Sequence, residues 1–214
     1  MSLRTYLLLP AFGLALLSHA QRPDLNALDA YLAKAVTDIR IETGQTKKSE
    51  EAKLLAAIEK KYGVDRHILL GIWGMESNFG KDKGSMSVMR SLATLAYSGR
   101  RKDFANEQMI AAFKILKRGV VKPDNFTGSW AAAMGHTQFI PTSYLSFAVD
   151  WTGDGTRDIW NSKEDALAST ANYLKAYGWK KGQPYKPGTA NYAVLGQWNK
   201  AKVYQQTIAV LASK

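Results

Sequence analysis

The sequence predicts a mainly α-helical single domain. Three observations lead there. The chain has 214 residues with 46% hydrophobic composition, enough for one sizeable core. Apolar residues recur at three- and four-residue spacing in stretch after stretch. No segment shows the strict alternation of a half-buried strand, and no internal repeat or low-complexity tract interrupts the pattern. Taken in order, Leu25, Leu28, Leu32, Val36 and Ile39 predict a helix to about Thr43, with Gly44 as its stop. Ser49 is placed to cap a second helix to about Tyr62, with Leu54, Leu55 and Ile58 inward and Gly63 ending it. Asp65 is placed to cap a third, to about Ser77. Lys102 to Leu116 forms an amphipathic stretch carrying Phe104, Met109, Ile110, Phe113 and Leu116. Residues 120–140 read as loop, Pro141 suits the first turn of a short helix to Val149, and a Gly/Asp-rich turn spans 150–158. Ser162 can cap a helix ending near Gly178, residues 179–190 read as loop, and a last helix covers about Asn199 to Ala212.

Residues 1–20 resemble an export signal. Arg4 precedes an apolar run, and Ser18-His19-Ala20 puts small residues at the −3 and −1 positions before Gln21. The alternative is a membrane anchor, for which the run is short against the roughly 20 apolar residues of a span. The absence of cysteine excludes disulfides, thiolate zinc sites and lipid attachment at a residue following the signal. Histidines at 19, 67 and 136 suggest no metal cluster. The formal net charge is +11, and +10 once the signal with Arg4 is removed. Such a chain is drawn to polyanions. Export argues against nucleic acid and for the anionic bacterial envelope. The expected location is periplasmic or secreted.

Glu76 is the most informative residue. Leu69, Ile72, Trp73 and Glu76 fall at i, i+3, i+4 and i+7, which puts this acid on the apolar stripe of its helix and near the C-terminal end. Burial and the negative end of the helix dipole both disfavour the ionised form. A carboxyl so placed can stay protonated near neutrality and protonate a glycosidic oxygen. A structural reading also fits, with Glu76 paired to an Arg or lying at a solvated helix end. A glycosidase ordinarily needs a second carboxylate. Asp82, between Lys81 and Lys83, reads as solvated, and Glu107 lies among polar helix positions. A lone acid suits a route in which the substrate supplies its own nucleophile, since an intramolecular hydroxyl has a large effective concentration.

Four segments carry a family resemblance: Gly71-Ile-Trp-Gly-Met-Glu-Ser-Asn-Phe-Gly80, Gly128-Ser-Trp-Ala-Ala-Ala-Met-Gly-His-Thr-Gln-Phe-Ile-Pro141, Ala148-Val-Asp-Trp-Thr-Gly-Asp-Gly-Thr-Arg-Asp-Ile-Trp160 and Ser169-Thr-Ala-Asn-Tyr-Leu-Lys-Ala-Tyr-Gly-Trp179. With a last match around Gln197-Trp198-Asn199-Lys200, they cover most of residues 50–211. In this order they resemble the membrane-bound lytic transglycosylase B family of the lysozyme-like superfamily. The resemblance implies an α+β lysozyme-like fold, a helical catalytic domain around a sugar-binding cleft with an EF-hand-like loop. It implies cleavage of the β-1,4 bond between N-acetylmuramic acid and N-acetylglucosamine, leaving a 1,6-anhydromuramic end instead of adding water. Glu76 matches the sole catalytic acid and base. Ser129 matches a serine that contacts the N-acetyl group, Gln138 a glutamine that positions sugar, and Tyr173 a tyrosine lining the cleft. Asn199 and Tyr204 match an Asn and a Tyr near the active site, and Trp198 stands where an aromatic is usual. Read without the family, Ser129 could cap a turn, Gln138 could satisfy loop backbone, and the three aromatics could be core.

Asp150, Thr152 and Asp154, followed by Gly155, fit the start of a calcium loop, with Thr156 next in the ligand spacing. Position 12 would be Asn161 where a Glu is expected, and the resemblance points instead to a later ligand, Asp165, or Glu164 if the register slips. Ser162-x-x-Asp165 is also a capping box, so these acids can simply start a helix. Any calcium is expected to stabilise, and no cofactor is expected to be required for the chemistry. The implied organisation is a signal at 1–20, an N-terminal helical segment at 21–48 and the transglycosylase domain at 49–214. The expected partners are peptidoglycan strands and other cell-wall enzymes, met by a monomer without a stable membrane span. Two departures stand out. The stretch joining the Gly-Trp and Asn-Lys motifs is short, only residues 179–190, and the part before residue 50 is unlike the usual one. A hydrolytic muramidase and a catalytically silent sugar-binding protein of the envelope are the rival readings.

Overall fold

The computed structural model describes residue 30, residues 34–99 and residues 101–214. The expected signal at 1–20 and the first part of the first expected helix, residues 25–29 and 31–33, lie outside the described residues. The first helix described in full, α1 (Asp38–Glu50), is capped by the Thr37 side chain, which accepts from Arg40 N. It runs through both Gly44, the expected stop, and Ser49, the expected cap. A Cβ at Gly44 would stand 3.5 Å from the Phe79 ring, an ordinary van der Waals contact, so this glycine neither ends the helix nor is demanded by packing. Ser49 Oγ instead donates to Gln45 O one turn back. Ile39, expected inward, is 77% exposed.

Helix α2 (Ala52–Tyr62) buries Leu55, Ile58 and Tyr62 and ends at Gly63, whose φ of 74° is the left-handed cap that its sequence position predicts. Asp65 caps α3 (Arg66–Ser77) by accepting from His67 N. This helix is the axis of the molecule: Ile68 through Gly74 are all buried. Gly71 and Gly74 let neighbours approach; a Cβ at Gly74 would lie 2.7 Å from the Phe79 ring. The chain leaves α3 through Asn78 and Phe79, both in the left-handed region, and so turns back sharply just past Glu76.

Four of the elements were not expected from the sequence. Strands β1 (Met86–Ser87) and β2 (Thr127–Gly128) pair antiparallel, and α4 (Val88–Tyr97) follows β1 directly. Helix α5 (Lys102–Lys117) lies where expected but buries a different stripe. Ala105, Gln108, Ala111, Ala112 and Ile115 face inward, while Ile110 and Phe113 are 59% and 57% exposed. Small alanines let α5 pack closely on its neighbours, and that contact outweighs the larger residues two positions round the helix. Helix α6 (Pro141–Phe147) starts at its proline. Ser162 caps α7 (Lys163–Ala176), accepting from Asp165 N. The second unforeseen helix, α8 (Ala190–Trp198), precedes α9 (Lys202–Leu211). Helix α3 is flanked by α1, α2, α7 and α9, which brings residues from both ends of the chain around Glu76.

Candidate active site

Glu76 sits in the last turn of α3 and is 3% exposed. Its Oε1 accepts two hydrogen bonds, from Tyr204 Oη at 2.6 Å and from Trp198 Nε1 at 3.1 Å. Its Oε2 is buried and has no hydrogen-bond partner among the described residues. The two partners are neutral donors, so the pairing with an Arg that a structural role would require is not what holds this acid. Burial pushes the carboxyl up to about 7, and the hydrogen bonds from Tyr204 and Trp198 oppose the rise without cancelling it.

The acid opens into a recess of about 420 Å³ lined by Arg40, Asp82, Ser129, Trp130 and Gln138, among others. Its floor depends on two backbones in contact. Gly84 has φ +78°, and a Cβ there would lie 2.3 Å from the Gly128 carbonyl. Only glycine allows the turn after α3 to rest on β2 so closely. A second recess of about 360 Å³ is lined by Arg101, Phe104, Tyr173, Trp198 and Asn199, with Gln138 common to both. The two recesses therefore meet at Gln138, beside the acid.

Gln138 is buried and in the left-handed region, and its Nε2 donates to Gly135 O and Lys83 O, at 3.0 and 3.2 Å. Ser129 lines the Glu76 recess, and its Oγ accepts from Ala133 N at 3.1 Å. Tyr173 Oη donates to Gln197 O at 2.7 Å, and its ring packs edge-on against Trp198 and Phe139. Asn199 is buried and its Oδ1 caps the following turn by accepting from Ala201 N. Thus Trp198 and Tyr204 reach the acid directly, Ser129 and Gln138 share its recess, and Tyr173 and Asn199 line the second. Arg40, Trp130, Phe139 and Arg101 also line the two recesses and were not singled out in the sequence. For Arg40 no signal existed, because its helix lies far from the motifs in sequence.

A buried clamp joins α3 to the loop that carries Gln138. Trp73 Nε1 donates to His136 Nδ1 at 3.1 Å, and Ser77 Oγ donates to His136 O. Burial first, and Lys83 second, depress the His136 imidazole to about 4, so it stays neutral and keeps its acceptor nitrogen.

The raised pKa has a consequence for stability. The folded protein binds the Glu76 proton more tightly than the unfolded chain, whose carboxyl titrates near 4.5. The resulting stabilisation is complete below that value and is lost as pH rises through about 7. Glu76→Gln removes this dependence. The variant should gain about 3 kcal/mol on the parent between about pH 4 and about pH 8, read by urea unfolding of both proteins. A constant difference across that range contradicts the burial of the acid.

The residues expected to hold calcium, Asp150, Thr152, Asp154, Thr156 and Asp165, lie around one loop. Asp150 Oδ1 accepts from Gly153 N at 2.6 Å and its Oδ2 from Gly155 N at 2.8 Å. Asp154 Oδ1 accepts from Thr156 N at 2.7 Å, and Thr152 Oγ1 donates to Asp150 Oδ1. Asp165, and not Glu164, is the fully buried acid. Its oxygens accept from the backbone N–H groups of Trp151, Thr152 and Asp158. The donors are all oxygens, which suits calcium in kind. Among the described residues, however, no three acidic or histidine side chains gather into a metal-holding group.

Comparison with known proteins adds the following. The profile of the family described as Transglycosylase SLT domain matches residues 14–189. Membrane-bound lytic murein transglycosylase B of Escherichia coli K12 is 35% identical over 153 residues, which is 71% of this chain and 42% of that protein. This chain thus spans less than half the length of that relative. The crystal structure of SltB3 from Pseudomonas aeruginosa in complex with NAG-NAM-pentapeptide superposes with a TM-score of 0.82 at 36% identity, covering 90% of this chain and 66% of that one. Escherichia coli Slt35 in complex with calcium superposes with a TM-score of 0.79 at 25% identity, covering 87% of this chain and 77% of that one.

Proposed function

The chain belongs to the Transglycosylase SLT domain family, and from that premise we propose that it is a peptidoglycan lytic transglycosylase with Glu76 as its single acid and base. The observation that carries the reading is the state of Glu76. A buried carboxyl whose pKa is raised to about 7 can serve as a proton donor near neutral pH.

In the proposed reaction Glu76 donates its proton to the glycosidic oxygen between N-acetylmuramic acid and N-acetylglucosamine, and the C1–O bond breaks. The carboxylate so formed takes the proton of the muramoyl 6-hydroxyl, and O6 closes onto C1. One bond is lost and one formed, the proton passes from O6 by way of Glu76 to the leaving 4-hydroxyl, and no water is consumed. Ser129 is assigned to the N-acetyl group, Gln138 to the sugar where the two recesses meet, and Tyr173, Trp198, Asn199 and Tyr204 to the wall of the cleft. The complex of SltB3 with NAG-NAM-pentapeptide supports a peptidoglycan strand as the substrate. Residues 1–20 are proposed to export the protein to the periplasm. Among the described residues no helix is long and apolar enough to cross a membrane.

The test is digestion of purified peptidoglycan with mass spectrometry of the soluble fragments. Muropeptides ending in 1,6-anhydromuramic acid should appear, 18 mass units below their hydrated counterparts (about one water). Hydrated reducing ends alone would favour a muramidase. One observation makes that rival specific: exposed Asp82 lines the same recess as Glu76. A hydrolase using Asp82 as its second carboxylate loses activity in Asp82→Asn, whereas the single-acid route retains most of it.

The oxygen-rich loop around Asp150 is proposed to bind calcium as a stabilising ion, through Asp150, Asp154 and Asp165 with Thr152 and Thr156. The support is its donor chemistry and the calcium complex of Slt35. Millimolar calcium should raise Tm by a few degrees over a chelator control. Equal Tm values in the two conditions remove calcium from the account.

A further inference from the structure

We propose that Trp198 is a positioning residue that assigns the two proton transfers to one oxygen of Glu76, Oε2, by holding Oε1 as a permanent acceptor. The inference rests on the proposed acid/base role of Glu76 and adds which atom acts and what fixes it.

The argument starts from the indole. Its Nε1–H donates and cannot accept. At 3.1 Å from Glu76 Oε1 it requires that oxygen to present a lone pair in every state of the reaction. Tyr204 Oη, at 2.6 Å, occupies the same oxygen. The tyrosine hydroxyl can turn and accept a proton from Oε1 but the indole cannot, so with both donors in place the acid form carries its proton on Oε2. That oxygen is buried and has no hydrogen-bond partner among the described residues. In the acid form Oε2–H is uncommitted to any protein acceptor and is the proton left for a glycosidic oxygen brought to it. In the carboxylate form Oε2 lacks a protein donor to quiet it, which makes it the stronger base toward the incoming hydroxyl. One oxygen thus serves both halves of the reaction, while the other is an anchor.

Trp198 is held firmly enough to impose this. It ends α8, where its ring meets Phe139 edge-on at 5.3 Å and Tyr173 at 4.9 Å between centroids. Tyr173 also ties the preceding residue by donating to Gln197 O. The ring lines the second recess while its N–H reaches the acid, so a sugar seated there touches the group that sets the acid. The ionisable groups around Glu76 are few. Tyr204 contributes from α9, Arg40 from α1 and Asp82 from the turn after α3. The remaining neighbours on α3, Met75 and Ser77, carry no charge.

A donor that serves only an acceptor stabilises the carboxylate over the acid. Deleting it should therefore raise the pKa of Glu76. Activity that needs the protonated acid falls as pH rises through that value, so the alkaline limb of kcat/KM against pH should move upward. Trp198→Phe deletes the N–H and keeps an aromatic wall. Incorporating 3-benzothienylalanine at position 198 replaces only the N–H by sulfur and keeps the shape, which guards against a folding defect. In both, the limb and the ¹³C-carboxyl titration of Glu76 should shift upward together, by about one pH unit. A loss of kcat with both midpoints unmoved would overturn the proposal and reduce Trp198 to a wall. The titration reads Glu76 whether or not it is catalytic. Failure of the acid/base role would show separately, as activity retained in Glu76→Gln.

Discussion

Glu76→Gln is expected to lower kcat on purified peptidoglycan by about a thousandfold or more, with KM little changed. The size follows from the chemistry. Both proton transfers pass through this carboxyl, and no other acid on the recess is positioned to replace it without a second role being invented for Asp82. Glutamine keeps the shape and still accepts from Tyr204 and Trp198, so the fold should survive. A loss caused by unfolding would appear as a lowered Tm. The account predicts the opposite above neutral pH, where the parent carries a buried charge and the variant does not. A variant both inactive and stabilised at alkaline pH distinguishes a catalytic acid from a structural one. Retained activity would leave a sugar-binding protein of the envelope as the better reading.

Asp165→Ala is expected to cost about 4 kcal/mol of stability, seen as a fall in Tm of about 10 °C. Asp165 is fully buried and its two oxygens receive three backbone N–H groups, from Trp151, Thr152 and Asp158. Alanine leaves those donors without an acceptor at the start of α7, and each unsatisfied buried group is costly. Asp150→Ala is the control. Asp150 is also a hub, but an exposed one, and water can replace it. A loss below about 1 kcal/mol for Asp165→Ala would mean the loop does not depend on this acid. Measured in chelator, the prediction is independent of any calcium.

The parts of the molecule that were legible in the sequence are those set by local chemistry. The Gly63 stop, the Asp65 and Ser162 caps and Pro141 at its helix start each follow from one residue's conformational preference, and the structure places them there. So does the burial of Glu76, because its neighbours on the stripe were all apolar. The errors come from contacts between distant segments. Gly44 looked like a terminator from residue type alone, whereas the helix Asp38–Glu50 continues through it against the rest of the fold. The stripe of α5 was assigned to Ile110 and Phe113 because size suggested burial, whereas alanines face the core. Strands of two residues carry no periodicity at all, and α8 is short and apolar nearly all round, whereas α4 does carry helical spacing at Val88, Leu92 and Leu95 and was not assigned.

The site divides the same way. Periodicity could nominate Glu76 but could not supply its partners, since Trp198 and Tyr204 stand 122 and 128 residues away along the chain. The family resemblance placed Tyr204 near the active site and marked Trp198 only as a position where an aromatic is usual. It did not indicate that both would donate to the same oxygen, a geometric fact created by α9 packing on α3 and by α8 packing on α7 and α9. Ser129 shows a residue serving two purposes, since the turn-capping bond to Ala133 N coexists with its place on the recess. Tyr173 is likewise both a packed aromatic and a lining residue of the second recess.

The most direct test of the central claim is titration of the Glu76 side chain itself. Protein carrying ¹³C at glutamate carboxyl carbons, with the Glu76 resonance assigned by its disappearance in Glu76→Gln, should show one carboxyl titrating near 7, well separated from the exposed glutamates. A midpoint near the ordinary 4.5 would contradict the account, because the acid would then have shed its proton before meeting the glycosidic oxygen.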